Sequence, residues 1–229
     1  MIGVVVPVHD EESYLADCLQ SLQAAARHVT LAGEGVCIVA ALDACSDASE
    51  SIAQGLGVQT VCLHARNVGA ARAAGARQAL KAGARWLSFT DADSTVAPDW
   101  LAQHLRLASD AVCGTVEVRD WCGYGSDVQR LYHAGYSDRP GHRHIHGANL
   151  GVSAAAYERA GGFAALRTGE DVALVRALEA SGARIAWTNL PRVATSARSR
   201  FRAPAGFGAH LAGLRAATAT ACAAAGAIA

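Results

Sequence analysis

An α/β fold, with a mostly parallel central sheet flanked by helices, is what this sequence predicts, and three observations predict it. Short apolar runs alternate with helical patterns through the first half of the chain. One of those runs, Trp86–Phe89, ends abruptly in Asp91, Ala92 and Asp93. The chain has 229 residues, 52% of them hydrophobic, which is enough for one sizeable core and one large domain. Strand-helix alternation with short, fully apolar strands is the mark of βαβ units. Acids at the carboxyl end of such a strand stand in the crevice where open α/β sheets bind ligands.

Taken in order, Ile2–Val6 reads as a strand that Pro7 closes, and Glu11 to Arg27 as an amphipathic helix. Val36–Leu42 is the second strand, Asp47–Leu56 a helix with Asp47 as its N-cap candidate, and Val58–Leu63 the third strand. Asn67 and Gly69 open a helix that runs to Lys81; Trp86–Phe89 follows, then a helix over Pro98–Ala108 with Pro98 in its first turn, then Ala111–Val118. Residues 119–146 break the rhythm. They are polar, aromatic and rich in His, Gly and Arg, and read as a long functional insertion. Regular pattern returns with a strand at His146–Val152, a helix from Ser153 stopped by Gly161-Gly162, a helix from Glu170 to Ser181, and a strand at Arg184–Thr188. The Ala-rich tail from Ala216 to Ala229 reads as a helix end or frayed terminus.

Composition narrows the classes. Twenty basic and twenty acidic residues cancel, so no net field draws the chain to nucleic acid or to an anionic membrane, and any anion site must be local. Seven scattered cysteines without paired zinc-ligand spacing read as buried free thiols in a reducing, cytoplasmic setting. The N-terminus enters a strand with no leader-like pattern, and no apolar stretch reaches the roughly 20 residues a bilayer requires. A peripheral membrane contact of the Ala-rich tail stays open.

Three strands end in acids on what should be one edge of the sheet: Glu11 and Glu12 after the first, Asp43 after the second, Asp91 and Asp93 after Phe89. Alternate residues of an extended segment point the same way, so Asp91 and Asp93 repel unless a cation sits between them. Mg²⁺ or Mn²⁺ shared with phosphate oxygens suits that geometry. The plainer reading is that Asp and Ser are ordinary turn residues, and the triplet alone does not choose. Arg72, in the first turns of its helix, either faces a phosphate or lies on a solvated helix face. Glu170 and Asp171 at a helix start are either good dipole chemistry or a general base facing a cleft.

The stretches VVVPVHDEESYLADCLQSL, LDACSDAS, NVGAARAAG, FTDADS, GANLGVSAAAYERAGGF and GEDVAL, in that order from Ile2 to about Leu178, resemble the family 2 glycosyltransferases of the GT-A fold. The resemblance implies a single Rossmann-like GT-A domain over 1–229, with a nucleotide-binding half at 1–118 and an acceptor-binding half at 119–229 that ends in a C-terminal loop and helix. It implies an inverting, metal-dependent transfer from a UDP- or GDP-sugar to a hydroxyl acceptor. Pro7, His9 and Glu11 would meet the uridine-like part of the donor, Asp43 the base, and Arg72 the donor site. Asp91 would meet the ribose or the metal and Asp93 the metal; Asp171 would be the base with Glu170 beside it. The sequence departs from the family at Leu42-Asp43, where a paired acid is usual, and at His9; it lacks the processive QxxRW signature, which implies single sugar transfer.

Two segments stay unassigned. His142, His144 and His146 alternate, hence share a face if extended, and a metal or phosphate role for the trio is open. His146 and Asn149 fall on the acceptor or diphosphate side. Arg198, Arg200 and Arg202 lie in a Gly/Pro-containing loop that reads either as a lid over the diphosphate or as a solvated basic loop, with His210 as a further ligand candidate. Rival functions fare worse. A DxDxT phosphatase places its motif on the first strand and needs a downstream Lys, whereas the only Lys, Lys81, lies upstream. A sugar-nucleotide pyrophosphorylase wants a Gly-rich basic loop where PVHDEES is acidic. A donor-binding module without turnover remains, and retention of Asp91, Asp93 and Asp171 together argues against it.

Overall fold

The computed structural model of the chain describes residues 1–198 and 206–226, with side chains in the last helix to Thr218. In chain order the elements are β1 (Ile2–Val8), α1 (Leu15–Ala26), β2 (Val36–Asp43), α2 (Ser49–Gly55), β3 (Gln59–Leu63), α3 (Val68–Lys81) and β4 (Trp86–Phe89). There follow β5 (Ser94–Val96), α4 (Trp100–Arg106), β6 (Ala111–Cys113), β7 (Glu117–Val118), α5 (Ser126–Gly135), β8 (Leu150–Ser153) and α6 (Ala154–Arg159). The chain continues through α7 (Glu170–Ala180), β9 (Ile185–Trp187), β10 (Val193–Thr195) and α8 (Phe207–Gly226).

Seven strands form one sheet in the order β3-β2-β1-β4-β8-β6-β9. All neighbours are parallel except β8, which runs antiparallel to both β4 and β6. The fold is therefore the predicted α/β domain. Strand alternation sorts side chains to two cores: Ile2, Val4, Val6 and Val8 pack with α1, α2 and α4, while Val5, Leu87 and Phe89 pack with α3, α6 and α7. Small residues line the contact between helix α3 and β1 and leave no room for a larger side chain. A Cβ on Gly3 would come within 2.6 Å of the Ala79 Cβ, and one on Gly75 would run into Val5.

A second sheet of three short strands, in the order β5-β10-β7, sits beyond the carboxyl end of β4. Strand β10 pairs antiparallel with β5, Thr195 opposite Ser94, and the two hydroxyls are 3.0 Å apart. This small sheet carries the chain that leaves β10 back to the acids after β4.

Several expectations need correction. Pro7 does not close β1, which runs on to Val8 with Pro7 opposite Ala41. Helix α1 begins at Leu15 rather than Glu11, and the Glu11 carbonyl accepts from the N–H groups of Tyr14 and Leu15 in a turn before it. Asp47 precedes the N-cap of α2, although its carboxylate still accepts from Ser49 N–H. Pro98 lies before α4, which Asp99 precedes. The predicted strand at 111–118 splits between the two sheets, and residues 146–149 form a turn that does not join β8, which starts at Leu150. The insertion holds a helix, α5, that buries Val128 and Tyr132 beside Leu211 of α8. Asn67 caps α3 by accepting from Ala70 N–H, and Gly161 and Gly162, both at positive φ, end α6, as the sequence led one to expect.

Candidate active site

Five carboxylates and two guanidinium groups gather at the carboxyl ends of β1 and β4. They fall into two connected groups. In the first, Arg72 from α3 is 2% exposed. Its guanidinium donates to Asp91 Oδ1 at 2.5 Å and to the Gly147 carbonyl at 2.5 Å, and its Nε lies 3.3 Å from Glu170 Oε1. Gly147 in turn donates its N–H to Asp171 Oδ2 at 2.8 Å. In the second group, Arg198, three residues past β10, grips Glu11 with both terminal nitrogens at 2.6 and 2.8 Å. The same side chain lies 3.0 Å from Asp93 Oδ2 and stacks over the Tyr14 ring at 5.3 Å.

This arrangement decides between the alternatives left by the sequence. Arg72 is not on a solvated face; helix α3 turns it inward, where it is the buried counter-charge of Asp91 and Glu170. Nor is the α3 N-terminus an open phosphate cradle. Gly69 N–H donates to the Leu166 carbonyl, Ala70 N–H to Asn67, and the Asn67 amide reaches the Ala165 carbonyl, so the 164–166 segment covers it.

Burial and crowding show in the acids. The Asp93 carboxyl is pushed up to about 7, first by burial and then by the charge of Asp91, with Arg198 opposing. Asp91 is also raised, by burial most of all, with Arg72 pulling the other way. Its side chain still keeps 37% of its surface open to the crevice. Glu170 is 5% exposed and raised by burial. Asp171 is half-buried, so of the helix-start pair it is the one that faces outward. It is no cap: Gly169, at φ 73°, precedes α7, and Asp171 reaches across to Gly147 instead.

The remaining expected residues serve the frame. Asp43 is 3% exposed, and its carboxylate accepts from the N–H groups of Ala65, Arg66 and Asn67 at 2.6–2.8 Å, which fixes the loop between β3 and α3. His9 donates from Nδ1 to the Asp43 carbonyl at 2.6 Å, and Pro7 is a half-buried strand residue. Asn149 does not reach the crevice. It is 0% exposed; its amide nitrogen donates to the carbonyls of Thr115 and Pro191, and its oxygen accepts from Trp100 Nε1. Arg200 and Arg202 lie outside the described residues, and His210 is exposed on α8.

The histidine trio does share a face, without a strand. His142 stacks on His144 at 5.6 Å and His144 on His146 at 5.9 Å, with Tyr136 against His144 at 4.3 Å. Hydrogen bonds to the backbone and to Tyr136 hold the rings in place. His142 donates to the Thr188 carbonyl and accepts from His144 N–H; His144 accepts from Ser137 N–H. The Tyr136 hydroxyl, which accepts from Val116 N–H, shares a hydrogen bond with His146 Nε2 at 3.0 Å. Burial holds His146 down at about 4. These rings therefore form a ladder rather than a cation site. Among the described residues the ligand atoms of Asp10, Cys45 and Asp47 lie within 4.8 Å of one another. They clasp the first two loops together: Asp10 accepts from Ser46, Asp47 from Glu12 and Ser49, and the Cys45 thiol donates to the Val8 carbonyl.

Sequence reasoning missed Gly147, Tyr14 and the pairing of Arg198 with Glu11. Only the motif GAN hinted at Gly147.

The family model described as glycosyl transferase family 2 matches residues 3–162, which is most of the chain and contains β1 from Gly3 on, the DAD triplet and Gly147. The chain belongs to glycosyl transferase family 2. No curated protein matches it in sequence. Solved structures share the fold of this family 2 domain at low identity. S. aureus TarS 1–349 in complex with UDP-GlcNAc is 16% identical with a TM-score of 0.67, over 90% of this chain and 61% of that one. The mannosyltransferase PcManGT from Pyrobaculum calidifontis, in complex with GDP-Man and Mn²⁺, is 17% identical with a TM-score of 0.65, over 88% of this chain and 58% of that one. GalNAc-T7 with UDP, GalNAc and Mn²⁺ is 17% identical with a TM-score of 0.61, over 86% of this chain and 44% of that one. The chain thus spans 61% and 58% of the length of the first two.

Proposed function

We propose that this family 2 domain transfers a single sugar from a nucleoside-diphosphate sugar to a hydroxyl acceptor, with inversion and with a divalent cation. The observation that carries the reading is the convergence of Asp91, Asp93, Glu170 and Asp171, beside Glu11, on one crevice. Carboxylates crowded in this way suit a cation. Asp91 and Asp93 offer oxygen only, and one or two carboxylates plus phosphates are the donor set that Mg²⁺ or Mn²⁺ takes. When bound, the cation would neutralise charge developing on the departing nucleoside diphosphate. The Mn²⁺ in two of the similar structures supports the same reading.

The chain's own residues supply the rest. Asp171, outward-facing and held by Gly147 and Val172 N–H groups, keeps lone pairs for the proton of an attacking acceptor hydroxyl. Glu170 stays buried against Arg72 and sets the charge beside it. One displacement at the anomeric carbon, from the face opposite the diphosphate, inverts it. Residues 1–118 would hold the nucleotide, with Pro7, His9 and Glu11 along the first loop and Asp43 acting through the 65–67 loop it fixes. Residues 119–229 would meet the acceptor, with His146 at its edge. The six free cysteines among the described residues, of which Cys62 and Cys122 are exposed rather than buried as expected, fit a reducing, cytoplasmic setting, and no described helix is long and apolar enough to cross a membrane.

Calorimetry with UDP and GDP, each with and without Mn²⁺, tests the reading. Cation-dependent binding of one nucleotide is expected, and Asp93→Ala should abolish it while the protein still unfolds in one cooperative transition. Undiminished cation-dependent binding in Asp93→Ala would remove Asp93 from the metal site, and binding of neither nucleotide would overturn the proposal.

A further inference from the structure

The guanidinium of Arg198 stands where a cation would be expected. It is fork-bonded to Glu11 at 2.6 and 2.8 Å and lies 3.0 Å from Asp93, with the Tyr14 ring beneath it. All three charged partners are largely buried, with side chains 18%, 7% and 14% exposed for Arg198, Glu11 and Asp93. Paired charges of this kind are strong because water competes for them poorly. We infer that Arg198 is a latch on the cation site: it neutralises Asp93 and Glu11 itself, and makes divalent cation binding conditional on a nucleoside diphosphate. This inference rests on the reading of Asp93 as a metal ligand.

The physical reason is competition for one carboxylate. A dication on Asp93 and a guanidinium 3.0 Å from the same carboxylate repel each other, so the cation must displace Arg198 from Asp93. Alone, the cation gains Asp93 but takes one carboxylate partner from a buried guanidinium. A diphosphate changes the balance by offering Arg198 new oxygens of the geometry a guanidinium grips best. The position of Arg198 makes the exchange short. It follows β10, whose Thr195 pairs with Ser94, the residue after Asp93, so the latch and its catch are fixed to the same small sheet. Asp91, held separately by Arg72, stays in place during the exchange.

Mn²⁺ titration in the absence of nucleotide decides the point, read by calorimetry and by the cation-induced rise in melting temperature. Arg198→Ala and Arg198→Gln, two variants so that a folding failure of one leaves the other, should each bind Mn²⁺ alone at least about tenfold more tightly than the wild-type chain. In the wild type, saturating UDP or GDP should raise Mn²⁺ affinity, and that gain should shrink in both variants by the factor the substitution has already supplied. If the variants bind Mn²⁺ alone no more tightly while all three proteins bind Mn²⁺ with nucleotide, the latch is wrong and the metal site stands. If no protein binds Mn²⁺ with or without nucleotide, the metal-site reading falls and the latch with it.

Discussion

Gly147 donates its N–H to Asp171 at 2.8 Å, and that single bond ties the proposed base to the turn between the histidine ladder and β8. Asp171 uses its other oxygen to accept from Val172 N–H at 2.8 Å, so both oxygens have a backbone donor. An asparagine has one oxygen and must turn its NH₂ toward one of those donors. Asp171→Asn should therefore lose about 1 kcal/mol of stability and keep its nucleotide affinity. Transfer, or slow donor hydrolysis, should fall by roughly two orders of magnitude or more, the usual worth of a positioned base. Near-normal turnover would take Asp171 out of the mechanism.

The same turn gives a sharper prediction at Gly147. No positive φ is required there, so alanine suits the backbone, but its Cβ would run into the Arg72 guanidinium. Ordinarily the end of an arginine swings away at little cost. This one is held by Asp91, Glu170 and the Gly147 carbonyl itself. Gly147→Ala should cost about 1–3 kcal/mol as an overpacked site does, and should lower transfer more than nucleotide affinity, because the Asp171 anchor moves with it. Urea unfolding and kinetics on the same preparation measure both, and an unchanged kcat would show that the turn does not position the base.

Arg72 itself is the counter-charge of that group. Arg72→Met would leave Glu170, 5% exposed, without its cation. Breaking a buried pair from one side costs roughly 3–5 kcal/mol, and that is the loss expected in denaturant unfolding. Arg72→Lys keeps the charge but lacks the fork that reaches three partners at once, so its stability should fall between the two. Equal stability of Arg72→Met and wild type would mean that the carboxylates do not depend on Arg72.

What the sequence made legible was local. Glu11, Asp43, Asp91 and Asp93 stand next to recognisable strand ends, so their shared edge followed from strand-helix alternation, whereas Glu170 and Asp171 at a helix start could be brought to that edge only by the family resemblance. Arg198 met Glu11 across 187 residues through β10 pairing with β5, and strands of three residues leave almost no pattern to read. Helix α5 was hidden because its sequence is polar and His-bearing; two buried side chains, Val128 and Tyr132, hold it. The Arg72 alternative could not be settled from its own helix, since its partners come from the end of β4, from α7 and from the 146–149 turn. Asn149 misled for the opposite reason: a motif position near the site proved to be a buried tie between loops.

A buried histidine away from the crevice makes stability depend on pH. His104 of α4 is 0% exposed, bonded to Ser88 Oγ at 3.0 Å and to Asn149 Oδ1 at 3.3 Å, and burial holds it down at about 4 against an ordinary 6.5. Between those values the unfolded chain takes up a proton that the folded chain refuses. Stability from this group is therefore complete above pH 6.5 and is lost as pH falls toward 4, by on the order of 3 kcal/mol. His104→Gln, which cannot titrate, should be less stable than wild type at about pH 7 because the Ser88 and Asn149 contacts are disturbed. Its deficit should narrow steadily as pH falls from about 6.5 to about 4.5. Urea unfolding of both proteins at several pH values gives the difference directly, and two parallel stability curves through that window would show that His104 is not held neutral by the fold.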